Sequence, residues 1–238
     1  LAEVDDLAVL RASLGEQLSA LRGVPVGELP PALLDVGLER FDVGQDVDLL
    51  LPGDWDQLRQ QEGGAGRPLP FWAHPWPSGV ALAEYLTRWP PPASYRILEL
   101  GCGMALPSIV AARAGATVLA TDGVEDAVAF ATHNFALNET LGEVARVDWA
   151  TGGDALVARG PFDAVLAADV LYNDANVQTA LELWPRLIAP GGLLVLADPR
   201  RSGLRDFLLG AEERFTVVGM QELEDPVTLV LLQPLDAG

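Results

Sequence analysis

Residues 95–122 read YRILELGCGMALPSIVAARAGATVLATD. The run 95–100 is short, apolar and β-like, and it ends on Glu99-Leu100. Gly101, Cys102 and Gly103 then form a turn where the backbone can reach φ > 0 and a ligand can come close. Residues 105–114 have helix-forming composition, with Pro107 near the first turn, where its missing N–H costs little. Gly115 stops the helix, 117–121 is a second buried strand, and Asp122 stands at that strand's C-terminal end. Nucleotide-binding α/β folds place there the carboxylate that takes the ribose hydroxyls. The stretch is a nucleoside-binding crossover.

Upstream, residues 5–22 carry Leu7, Leu10, Leu14, Leu18 and Leu21 at helical spacing, with Asp5 or Asp6 as cap and Gly23 as stop. Residues 39–51 alternate as a hairpin with Gly44-Gln45 near its turn, 54–61 suit a short helix, and 62–70 suit an exposed, mobile loop. Residues 1–70 thus read as a helix-plus-hairpin cap on the domain that follows, 71–238. Ser78 is the expected cap of a helix over 79–89 whose buried face takes Val80, Leu82, Ala83, Leu86 and Trp89. Trp72 and Trp76, just before it, fit a packed loop or the wall of a pocket equally well.

Downstream, 125–137 is a helix with Val128, Ala131 and Phe135 inward and a polar tail of His133, Asn134 and Asn138. Strand 143–147 ends at Asp148-Trp149, and 151–160 reads as a polar connection. Strand 162–168 is apolar apart from Asp163, hence buried on both faces, and it runs into Asp169 and Tyr172. A helix over 175–188, a strand over 193–197 and a helix over 204–213 follow; strands 215–220 and 227–233 close the chain. Alternating strands and helices imply an α/β fold with a parallel sheet wound on both sides. The last two strands, joined by a short turn, form an antiparallel pair.

The chain has 238 residues, half of them hydrophobic, which suits one α/β domain with an N-terminal extension. No apolar stretch has the length to cross a bilayer, and the acidic N-terminus lacks the features of a signal peptide. A single cysteine, Cys102, rules out an internal disulfide. A soluble, cytoplasmic, monomeric protein is the expectation. A formal charge of -19 with only 15 basic residues argues against non-specific nucleic-acid binding. It favours a basic partner such as a lysine-bearing protein, or serves solubility alone. Two histidines, His74 and His133, with one cysteine give neither a metal-ligand spacing nor a nucleophilic triad.

The glycine turn does not suit a dinucleotide. Leu106 takes the place of the third small residue, and Glu99 would repel a diphosphate. S-adenosylmethionine carries a sulfonium and an ammonium and no phosphate, so Glu99 would attract it or order the loop around it.

E-L-G-C-G, the acidic end of the second strand and the closing hairpin resemble class I S-adenosylmethionine-dependent methyltransferases. W-x-x-x-W-P-S-G-x-x-L-A-x-Y-L before the first strand and D-V-L-Y after the fourth resemble, more narrowly, the seven-β-strand protein methyltransferases of the family-16 group. The resemblance covers about residues 70–235, and Ala105 replaces the family's third glycine. It implies a doubly wound, seven-stranded Rossmann-like sheet ending in an antiparallel hairpin. It also implies S-adenosylmethionine as cofactor and a lysine side chain of a protein as acceptor. Glu99, Gly101, Cys102 and Gly103 would hold the methionine moiety, and Asp122 with Gly123 the ribose. Asp148 would take the adenine amino group with Trp149 against the ring; Trp76 and Ala168 would border the cofactor. Asp169 and Tyr172 would line the acceptor channel as the catalytic pair. A small-molecule or histidine acceptor, or an inactive cofactor-binding protein, are the alternatives.

Overall fold

In the computed structural model, which describes residues 4–63, 69–223 and 226–235, helix α1 (Val4–Arg22) opens the chain. It starts ahead of the expected cap, so Asp5 and Asp6 fall inside its first turn. The short α2 (Pro31–Leu34) leads into β1 (Val36–Asp42) and β2 (Asp46–Pro52), which pair antiparallel with Leu38 opposite Leu50. Gly44, at φ +82°, takes the turn between them. Helix α3 (Trp55–Gly63) follows. Most of the loop expected over 62–70 lies outside the described residues.

Seven strands form the main sheet: β3 (Arg96–Leu100), β4 (Thr117–Asp122), β5 (Glu143–Arg146), β6 (Phe162–Ala168), β7 (Ile188–Asp198), β8 (Phe215–Glu222) and β9 (Thr228–Pro234). Their order across the sheet is β5-β4-β3-β6-β7-β9-β8. The first five in chain order are parallel; β9 runs antiparallel between β7 and β8. Alternate residues of each strand face opposite sides, so two apolar layers arise. On one side Ile97, Val118, Leu166 and Val195 pack under α4 (Pro77–Arg88), α5 (Leu106–Arg113) and α6 (Glu125–Leu137). On the other, Leu98, Val165 and Leu196 pack under α7 (Trp149–Arg159), α8 (Asp174–Leu187) and α9 (Ser202–Ala211).

Three local readings need correction. Trp76 caps α4 with Pro77 in its first turn, so Ser78 is buried inside the helix instead of capping it. Trp89 is 63% exposed, because the helix ends where three prolines follow and lift the residue off the core. The supposed connection 151–160 is helical up to Arg159, part of helix α7, with Gly160 as its C-cap and the Asp148 carboxylate capping its start on the Ala150 N–H at 2.9 Å. Tertiary packing overrides its two glycines: a Cβ at Gly153 would lie 2.9 Å from Leu183, so the glycine lets α7 close on α8.

The N-terminal segment has no separate core. Leu14, Leu18, Leu33 and Leu49 belong to the same buried cluster as Phe130 and Ile97. The polar tail of α6 turns out to be the glue. Asn138 accepts from the Asp48 N–H at 3.1 Å and also donates to the Asp48 carbonyl; Asn134 makes the matching contact to Leu50. Two carboxamides four residues apart on a helix thus meet alternate residues of a strand edge, as a neighbouring strand would. Arg22 at the end of α1 forks onto Asp126 in the first turn of α6. Among the described residues no helix is long and apolar enough to cross a membrane.

Candidate active site

The parallel strands deliver their C-terminal ends to one edge, where open α/β sheets bind ligands. A cleft of about 790 Å³ lies there. Trp76, Glu99, Gly101, Cys102, Gly103, Asp122, Gly123, Asp148, Trp149, Ala168, Asp169 and Tyr172 all line it, as does Trp72.

The glycine turn is tightly framed. Gly101 (φ +68°) and Gly103 (φ +48°) both occupy the left-handed region. A Cβ on Gly101 would meet Val170 at 2.8 Å, and one on Gly103 the Trp72 carbonyl at 2.9 Å. Ala105, standing for a third glycine, is left-handed too, at φ 62°. Asp122 ties the turn to the end of β4, accepting from Gly103 N at 3.0 Å and Val124 N at 2.9 Å. Burial raises its pKa while these backbone donors oppose the rise.

Glu99 is buried, and its Oε2 accepts both the Ser108 N–H, at 3.1 Å, and the Ser108 hydroxyl. It therefore supplies the cap that Ala105 cannot give α5. Burial pushes its pKa to about 8, with the nearby Asp122 charge adding to the rise and the Ser108 bonds opposing it. This arrangement decides between cofactors. The helix N-terminus that would hold a diphosphate is already taken by a carboxylate. A cationic, phosphate-free nucleoside fits; a dinucleotide does not.

At the far side of the turn, Asp148 caps α7 and Trp149 is half-buried, its ring centroid 5.7 Å from that of Trp184. Trp72 is buried against Phe130, and Trp76 is half-buried, its indole N–H bonded to the Phe71 carbonyl at 2.7 Å. Exposed Phe71 and Tyr172 face each other across the mouth at 6.1 Å.

Asp169 follows β6 at φ 59°, its N–H donating to the Ala197 carbonyl at 2.9 Å. Its side chain is only 7% exposed, and Arg201 reaches it with Nε at 2.8 Å and Nη2 at 2.7 Å. Burial raises the Asp169 pKa, and the guanidinium opposes that rise. Arg201 and Phe71 escaped the sequence reading. The end-of-strand rule, applied after β7 as it was after β4 and β6, would have pointed to the segment that carries Arg201.

A family model described as lysine methyltransferase matches residues 68–214. The electron transfer flavoprotein beta subunit lysine methyltransferase of Danio rerio is 30% identical over 142 residues, 58% of this chain and 54% of that protein. The protein N-lysine methyltransferase METTL21A of Danio rerio is 33% identical over 150 residues, 60% of this chain and 67% of that protein. The chain spans about half the length of the curated relatives it matches. Among solved structures, a TehB-like SAM-dependent methyltransferase from Corynebacterium glutamicum superposes with a TM-score of 0.56 at 17% identity. That match covers 76% of this chain and 96% of the other, a likeness of fold.

Proposed function

The chain belongs to the lysine methyltransferase family, class I enzymes that use S-adenosylmethionine, and we propose that it methylates a lysine side-chain nitrogen of a protein. The observation that carries this reading is the mouth of the cleft. An acidic side chain, Asp169, stands behind exposed aromatic rings, Phe71 and Tyr172, with Trp76 beside them. Aromatic faces suit a long cationic side chain that enters end-on, and the carboxyl group behind them offers its tip a hydrogen-bond acceptor.

The cofactor supplies an activated methyl group. In our reading Gly101 and Gly103 let the backbone approach its amino-acid end, near Glu99, and Asp122 takes the ribose hydroxyls. Asp148 and Trp149 take the adenine, one by hydrogen bonding and one by stacking. Asp169 and Tyr172 orient the acceptor nitrogen, since in-line transfer depends on placement. A lysine titrates at about 10.4 in water, so it must shed a proton, to solvent or to a carboxylate, before its lone pair can attack.

The test is transfer of radiolabelled methyl from the cofactor to a panel of purified basic proteins, with the labelled residue mapped by mass spectrometry. The chain contains no lysine, all 15 of its cations being arginine, so it offers no lysine acceptor of its own to the label. Label on a lysine supports the proposal. Label only on histidine or on a small molecule overturns the choice of acceptor. Absence of S-adenosylhomocysteine binding overturns the cofactor assignment itself.

A further inference from the structure

The cleft is lined by acids and, among the described residues, by a single cation. Glu99, Asp122, Asp148 and Asp169 contribute carboxyl groups, His74, Cys102 and Tyr172 are the other titratable side chains, and Arg201 is the one arginine. Arg201 is fixed from both ends. Its backbone N–H donates to Asp198 Oδ1 at 2.8 Å, and Asp198 is fully buried at the end of β7. Its guanidinium lies on Asp169, with both contacts on the same oxygen, Oδ1. Asp169 is the buried partner, and Arg201, 44% exposed, is the one that meets solvent and cleft.

This pairing bears on the hardest demand of amine methylation. A carboxylate that orients a lysine also stabilises its ammonium form, and the ammonium has no lone pair to attack with. A carboxylate already paired with a fixed cation keeps its hydrogen-bonding capacity while its charge is offset. We propose that Arg201 is a positioning residue of the transfer site: by neutralising Asp169 through Oδ1, it leaves Oδ2 to orient an acceptor amine and favours that amine's neutral, nucleophilic form. The inference rests on the methyl-transfer reading above. The step itself balances simply. The ammonium loses a proton to solvent, the nitrogen lone pair forms the N–C bond, and the C–S bond breaks with its electrons on sulfur. The cofactor leaves as a neutral thioether and the product as a methylated ammonium.

The test needs no acceptor protein. Sinefungin carries a primary amine on carbon where S-adenosylmethionine carries its methyl-bearing sulfonium, so it reports the electrostatics of the transfer position. Its affinity is measured by calorimetry beside that of S-adenosylhomocysteine, from about pH 6 to about pH 10, where such an amine titrates. In Arg201→Gln the ratio of sinefungin to S-adenosylhomocysteine affinity should rise about tenfold near neutral pH. The pH at which the ratio falls should move up by about one unit, because a like charge has left the amine's surroundings. Arg201→Lys should restore the native ratio, and Asp169→Asn should lower it. An unchanged ratio and pH profile in Arg201→Gln, with S-adenosylhomocysteine still bound, overturns the inference alone. Loss of S-adenosylhomocysteine binding by the unaltered protein overturns the cofactor reading and this inference with it. Should Arg201→Gln fail to fold, the Lys and Asp169→Asn variants decide: no change in the ratio for Asp169→Asn overturns the inference equally.

Discussion

The carboxamide oxygen of Asn134 accepts the backbone N–H of Leu50 at 2.7 Å, across 84 residues of sequence. The nitrogen of the same amide donates to the Met104 carbonyl at 3.1 Å, inside the glycine turn of the cleft. One fully buried side chain therefore holds the N-terminal hairpin and the cofactor turn to the same helix. Asn134→Ala should cost about 3 kcal/mol, the cost of leaving buried backbone groups without partners. Urea unfolding measures it; a loss under about 1 kcal/mol would mean that the hairpin edge is satisfied some other way.

Asp122 already accepts the backbone N–H groups of Gly103 and Val124, and a carboxylate has lone pairs to spare for a further donor. Asp122→Ala should weaken S-adenosylhomocysteine binding at least tenfold, since charged hydrogen bonds are worth about 1.5–3 kcal/mol. Unchanged affinity by calorimetry removes Asp122 from the cofactor site.

Glu99 gives the free protein a pH dependence whose sign can be worked out. Its folded pKa, about 8, lies above its ordinary 4.5, so the folded state holds the proton more tightly. Its contribution to stability is thus fully present below pH 4.5 and is lost as pH rises toward 8. The ammonium at the amino-acid end of a bound ligand, placed beside it, prefers the ionised form. Affinity for S-adenosylhomocysteine should therefore climb with pH, by at most about tenfold per unit, and level off near pH 8. Proton release counted by calorimetry in two buffers checks this, and Glu99→Gln should abolish the release.

Asp169→Asn and Tyr172→Phe should leave S-adenosylhomocysteine affinity within about threefold of native. Methyl transfer should fall about a hundredfold or more, the scale on which misplacing a reacting group is felt. If both quantities drop together, these residues serve the cofactor or the fold instead of the acceptor.

The sheet was legible because buried parallel strands are apolar throughout and because glycine turns and strand-end acids stand at fixed offsets, as Leu98–Gly103 and Asp122 do. Helix α7 was illegible: Gly152 and Gly153 read as loop, and the close approach of Leu183 on the facing helix explains Gly153 only once the fold is in view. The anchoring role of Asn134 and Asn138 was hidden for a related reason. A polar residue near a helix end looks solvated until a strand edge from elsewhere in the chain is laid against it. The end of β7 marks the segment that carries Arg201, but the residue's significance comes from Asp169, 32 residues away in sequence.

The pairing of β7 with β9 separates two kinds of boundary that are often equated. The family match ends at residue 214, one residue before β8 begins, and starts at 68, after the hairpin that Asn134 holds. Cutting the chain at those limits would strip β9 from Leu194–Asp198 of β7 and leave the Asn134 amide, which donates to the Met104 carbonyl, without its partners on Leu50. The segment that matches the family is here smaller than the segment whose strands and core close on one another. Transplanting this active site into another protein would mean moving both flanks with it.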